Sequence, residues 1–257
     1  MRQFAEFFHC SPEKLGPDHI RQYQLHLLTK KKLSVRSVRQ RSAALRFLYV
    51  KTLRRRYLPE HIPYPKDQPK LPLVLNREEV QRMIECTPNL MHRAMLMTLY
   101  SAGLRRSELT RLQVQDIDSQ RILIHVHQGK GGRDRDVPLS TKLLEILKEY
   151  WLWRKPKTYL PVSDKVVWWL CRQAARAAGI KKDVHPHTLR HSYATHLLEA
   201  GAELVTIQTL LGHRDLRHTI IYLHLSTRYL SAVQNPLDGL SVDPLADVSR
   251  ARKNFKK

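Results

Sequence analysis

The chain has 257 residues and a formal net charge of +22 at pH 7, a length that allows one large or two modest domains, each with a buried core. It has no apolar run of the roughly eighteen residues that a membrane span needs, and MRQFAEFFHC at the start has no apolar stretch before a small-residue cleavage site, so no signal peptide is expected. Cys10, Cys86 and Cys171 are too few and too scattered for a disulfide framework or a zinc site, and the expectation is a protein of a reducing compartment with a polyanionic partner, of which nucleic acid is the common case.

The basic excess is concentrated at the front. Residues 1–72 hold 16 Lys/Arg against 5 Asp/Glu, and residues 73–257 hold 29 against 18. Residues 17–30 read as a helix. So do residues 34–53, where Val35, Val38, Leu45 and Leu48 form an apolar stripe at helical spacing and Ser34 stands as N-cap. Arg36, Arg39 and Arg46 lie off that stripe. They could meet a phosphate backbone or simply form a solvated basic face. PEHIPYPKDQPKLP at 59–72 follows, and its prolines favour extended chain, so it reads as an interdomain linker.

Asn76 with Glu79 has the capping-box spacing and starts a helix over 77–87. A second helix, about 89–102, stops at Gly103. RILIHVH at 121–127 alternates as a strand does, GKGGRDRD is turn chemistry, and DVPL resumes extended chain. This predicts a β-hairpin with Lys130 in its turn. Helices follow over about 140–153, 164–178, 187–200 and 203–211, the last three ending at Gly179, Gly201 and Gly212. From Asn235 the chain reads as a weakly ordered extension or a docking segment. The fold class is mostly α with a small β-sheet.

Five segments bring chemistry-bearing residues in order: Arg105 in SAGLRRSEL, Lys130 in GKGG, His187 and Arg190 in HPHTLRH, His213 in LLGHRD and Tyr222 in IIYLH. Cleaving a diester with a protein nucleophile requires stabilising charge on the nonbridging oxygens, and guanidinium forks do this bidentately. Arg105 and Arg190 are the candidates. His187 and Arg190, three apart, share a helix face, and His187 could accept a proton or position the phosphate. Leu189, Tyr193 and Leu197 would pack the same helix into a core. Tyr222 is the candidate nucleophile, because a phenol with a base and a cationic site beside it can attack phosphorus. By itself, a tyrosine in IIYLHL is more often core packing, and His213 alone reads as an ordinary loop histidine; the preceding LLGHRD is what singles out Tyr222. A 5′ hydroxyl leaving group needs a proton, for which Lys130 is the candidate and Arg133 its competitor in the same turn. His187 and His191 have the i,i+4 spacing of metal ligands, but no Glu follows His187 as HExxH needs, and GxxxxGK[ST] is absent. Neither a metal nor ATP is expected.

These segments resemble the tyrosine recombinases, the phage-integrase family that includes the Xer-type resolvases. GLRRSEL, QGKGGRDRDVPL, HPHTLRHSYATHLL and LLGHRDLRHTIIYLH follow its four signature boxes in order, and the resemblance covers roughly residues 4–235. It implies Arg105, Lys130, His187, Arg190 and His213 as the activating set, Tyr222 as nucleophile, and Glu108 as a buried acidic residue that orients the site. It implies a helical core-binding domain over 1–58, a linker over 59–72, an α+β catalytic domain over 73–235 and a tail over 236–257. Met1 falls where the family's first helix is already under way, so a shortened first helix is expected, and the tail has no clear match to the family's docking segment. The implied activity is site-specific recombination of double-stranded DNA through a 3′-phosphotyrosine, independent of metal, ATP or other cofactor. The implied assembly is a homo-tetramer on two DNA sites, in the cytoplasm at the nucleoid, encoded by a mobile element. The alternatives are an inactive DNA-binding remnant of the same fold and a relaxing enzyme of the type IB topoisomerase kind.

Overall fold

The computed structural model describes residues 2–56, 62–66, 71–127, 134–155 and 163–225. Two compact units divide the chain, Met1–Lys70 and Leu71–Lys257. Among the described residues no helix is long and apolar enough to cross a membrane.

The first unit is helical: α1 (Arg2–Phe8), α2 (Pro17–Thr29) and α3 (Val35–Phe47). Ser34 caps α3 by accepting a hydrogen bond from the Ser37 N–H. The stripe read from the sequence faces inward, with Val38 and Leu45 buried against Ile20, Tyr23 and Leu27. The helix expected to run to 53 widens into a π turn at Leu48–Thr52. That turn carries Tyr49, which is fully buried and donates its hydroxyl proton to the Pro12 carbonyl at 2.6 Å. The proline-rich stretch does more than connect. Ile62 is buried in the same core, and Gln24 Nε2 donates to both Ser42 Oγ and the Pro63 carbonyl. A buried amide is tolerated only with such partners.

In the second unit the capping box forms as expected. The Asn76 side chain accepts from the Glu79 N–H, and the Glu79 carboxylate accepts from the Asn76 N–H. Helix α4 (Arg77–Glu85) and α5 (Leu90–Ser101) follow, then the single-turn α6 (Arg106–Leu109). The sheet is antiparallel, in the order β1 (Ile117–Asp118), β2 (Leu123–Val126), β3 (Arg135–Pro138). β1 has no counterpart in the sequence reading, because two residues are too few to show alternation. Residues 128–133, the hairpin turn with Lys130, lie outside the described residues. So does the tail from 226 on.

Helices α7 (Thr141–Arg154), α8 (Asp164–Ala177), α9 (Pro186–Glu199), α10 (Leu204–Leu211) and α11 (Arg217–Ile220) follow in this unit, and the last of its described elements is a closing 3-10 turn at Ile221–His224. Its core joins Leu96 and Leu99 of α5 to Leu143 and Leu147 of α7 and to Val137 of β3. Each such side chain contributes about 1.5–3 kcal/mol on burial. Helix α9 packs against α5, α8, α10 and the closing turn. It is buried nearly all round, with Leu189, Arg190, Tyr193 and His196 all inside, and this central position lets it carry functional groups on a rigid element.

Candidate active site

Arg105 is the N-cap of α6. One turn on, Glu108 reaches back to accept from the Arg105 backbone N–H at 2.8 Å and from Nη1 at 2.6 Å. Arg105 Nη2 donates to the Gly212 carbonyl at 3.1 Å. Glu108 is almost completely buried and also takes a bidentate pair from Arg135, at 2.7 and 3.1 Å. Burial pushes its pKa up, but the bond to Arg135, that guanidinium's charge and the Arg105 bonds outweigh this and hold it at about 2.

Arg190 is 3% exposed. Its Nη1 donates to the Gly103 carbonyl at 2.6 Å, its Nη2 donates to the Leu211 carbonyl, and Nη1 lies 3.9 Å from Glu108. Burial, followed by the Arg105 charge, pushes it down to about 9, so it stays a cation at neutral pH. A side chain at position 103 would strain this arrangement. The φ of Gly103 is +56°, and a Cβ there would meet the Tyr193 ring at 2.4 Å.

Gly212 ends α10 in the left-handed conformation at φ +60°, with the Arg135 side chain packed on it. The chain then turns His213 toward the nucleophile candidate. The His213 ring lies parallel to the Tyr222 ring, 10° and 6.4 Å apart, and its Nδ1 is 2.9 Å from Thr219 Oγ1. Burial, with the charges of Arg190 and Arg105, pushes His213 down to about 3. Tyr222 is 1% exposed, on the closing 3-10 turn. Burial raises its pKa, while Arg190 and Arg105 pull the other way, so both guanidinium charges act on the phenol.

The structure therefore brings Arg105, Glu108, Arg190, His213 and Tyr222 into one cluster. His187 stands exposed on the same helix as Arg190, and partial desolvation and that arginine lower its pKa. The group bonded to the Tyr222 hydroxyl is not His187 but His191, whose Nδ1 is 3.1 Å away. Lys130 lies outside the described residues. In the first unit, Arg36 and Arg39 are exposed and Arg46 is half-buried. Arg39 and Arg46, two turns apart on α3, both lie over the Tyr64 ring, at 5.6 and 4.6 Å from its centroid.

Sequence reasoning missed Arg135 and His191. Arg135 was legible in part. It shares a strand face with Val137, which is buried, so period-two alternation aims it inward. His191 was noticed only as a metal-ligand spacing, and nothing local in the sequence pairs it with a tyrosine 31 residues on.

Residues 74–228 match the model of the phage integrase family, and residues 1–58 match the phage integrase N-terminal SAM-like domain. An integrase/recombinase of Sinorhizobium fredii is 45% identical over 244 residues, spanning 91% of this chain and 79% of its own length. Tyrosine recombinase XerA of Pyrococcus horikoshii is 38% identical over 182 residues, 66% of this chain and 63% of its own. A crystal structure of XerA recombinase matches with a TM-score of 0.57 at 30% identity, over 90% of this chain and 86% of that one. XerH bound to palindromic difH substrate matches with a TM-score of 0.70 at 20% identity, over 90% and 74%.

Proposed function

This chain belongs to the phage integrase family, as an enzyme of the tyrosine recombinase type, and from that premise we propose that it cuts and rejoins duplex DNA at specific sites through a 3′-phosphotyrosine on Tyr222. The observation that carries the proposal is the convergence of Arg105 and Arg190 around one buried carboxylate, Glu108, with both guanidinium charges acting on the Tyr222 phenol. Glu108 and the carbonyls of Gly103, Leu211 and Gly212 each engage part of these two forks. A guanidinium has five N–H donors, so donors are left for the nonbridging oxygens of a phosphate.

Tyr222 gives its phenol proton to a histidine of α9 and attacks phosphorus, the bond to the 5′ oxygen breaks, and the 5′ oxygen takes a proton from Lys130. A 5′ hydroxyl from the partner strand then reverses the step. Preorganised cations are worth a few kcal/mol each, on the order of 10²–10³ in rate, when the site excludes water. The chemistry as drawn uses no ATP and no metal. Arg36, Arg39 and Arg46 are proposed to contact DNA phosphates from the first unit. The assembly is proposed to be a homo-tetramer on two DNA sites, acting at the nucleoid, and the likeness to an integrase/recombinase supports a mobile-element origin.

A covalent trap tests this. Wild-type and Tyr222→Phe proteins are incubated with randomised nicked duplexes in EDTA, denatured in SDS, and the retained DNA is sequenced. An adduct at one recurrent sequence, from wild type alone, is the expected result. An adduct without sequence preference would instead indicate relaxing chemistry. Duplex binding with no adduct would indicate an inactive remnant.

A further inference from the structure

Among the described residues, His191 is the side chain hydrogen-bonded to the Tyr222 hydroxyl, Nδ1 to oxygen 3.1 Å, with the rings 5.8 Å apart. His187, one turn earlier on α9, lies with its ring 6.4 Å from that of His191. His213 lies parallel to the phenol ring and engages Thr219 through its own Nδ1. Neither is bonded to the hydroxyl. His191 also directly follows Arg190, the residue proposed to grip the phosphate, so base and phosphate ligand project from one buried helix.

We infer that His191 is a catalytic residue that accepts the Tyr222 proton as the phenol attacks, a role that rests on the reading of Tyr222 as nucleophile. The Tyr222 O–H bond breaks and its proton goes to Nδ1 of His191. The phenolic oxygen bonds phosphorus as the bond to the 5′ oxygen breaks, and that oxygen takes its proton from the proposed acid, Lys130. In rejoining, His191 returns the proton to Tyr222.

The surroundings suit the task. The groups acting on His191 are His185, His187 and Arg190 from α9 and its cap, with His213 and Tyr222 across from it. Burial first, then the neighbouring His187 and Arg190, hold His191 at about 4, so at neutral pH its imidazole is uncharged and can accept a proton. Free of DNA it is a weak base. A bound phosphate places negative charge beside Arg190, offsets the cationic field and raises the proton affinity of His191. Proton acceptance is thereby tied to DNA occupancy.

The test is single-turnover adduct formation on a nicked duplex between pH 6 and 9.5. It compares wild type, His191→Asn, His191→Gln and His187→Gln, each with Tyr222 either native or replaced by a fluorinated tyrosine of lower phenol pKa. Both His191 variants are expected to bind duplex normally and to form adduct about 100-fold more slowly at neutral pH, the range for loss of a general base. They regain rate at high pH or with fluorotyrosine, and His187→Gln shows no such rescue. Two results would overturn the role: His191 variants within about 3-fold of wild type across the pH range, or a loss that fluorotyrosine does not restore. Absence of adduct from wild type would overturn the nucleophile assignment itself, a separate observation that takes the His191 role with it.

Discussion

Replacing Glu108 by Gln removes the one carboxylate to which three guanidinium groups turn. Arg135 and Arg105 bond it directly, and Arg190 stands 3.9 Å off. The Glu108 side chain is 4% exposed and that of Arg135 is 7% exposed, so the cations left behind are poorly solvated. Breaking a buried pair from one side costs about 3–5 kcal/mol. A second route gives a similar figure. Holding the carboxyl at about 2, against 4.5 when free, corresponds to about 3 kcal/mol at 1.36 kcal/mol per pKa unit. All four tryptophans, Trp151, Trp153, Trp168 and Trp169, lie in the second unit, so urea unfolding followed by their fluorescence reports that unit alone. The expected loss at pH 7 is about 3 kcal/mol. Because the folded pKa is depressed, the stabilisation is complete above the unfolded value near 4.5 and disappears as pH falls toward 2. The gap between wild type and Glu108→Gln must therefore narrow by about 1 kcal/mol from pH 4.5 to 3.5. A gap below about 1 kcal/mol at pH 7 would refute the account of the site, and so would a gap that does not change with pH.

Gly103→Ala introduces both a strained φ and a contact with the Tyr193 ring. It should cost about 2–4 kcal/mol and slow adduct formation by shifting the carbonyl that holds Arg190, with unfolding and cleavage measured on the same preparation. Arg39→Ala with Arg46→Ala should weaken binding to all duplexes alike and flatten the salt dependence by about one unit of slope per lost phosphate contact; an unchanged slope in a filter-binding titration would remove them from the interface. His213 is held far below its free value by burial and the two arginines. Its unfolded form therefore gains a proton first as pH drops below about 6.5, and stability is lost progressively from there downward. His213→Asn should flatten the decline in urea midpoint between pH 6.5 and 4.5, and parallel curves for the two proteins would contradict that reading.

Much of this molecule is written in short stretches of chain. The Asn76 and Glu79 capping pair, the Ser34 cap, the stripe from Val35 to Leu48 and the helix end at Gly103 each depend on residues within one or two turns, where spacing alone fixes which groups meet. The chemistry was legible for a related reason, since Arg105, His187, Arg190, His213 and Tyr222 sit in boxes whose order and internal spacing are visible without coordinates. What the sequence could not supply was partnership at a distance. Arg135 finds Glu108 across 27 residues, Arg190 finds the Gly103 carbonyl across 87, and His191 finds the Tyr222 hydroxyl across 31. Ile62 was hidden inside a stretch that composition marks as linker, yet it fills the core of the first unit. Local periodicity says which face of an element turns inward. It does not say which inward-facing group will be opposite, because that depends on how α9, α10 and the hairpin pack together, and only the packed fold made His191, rather than His187, the neighbour of the phenol.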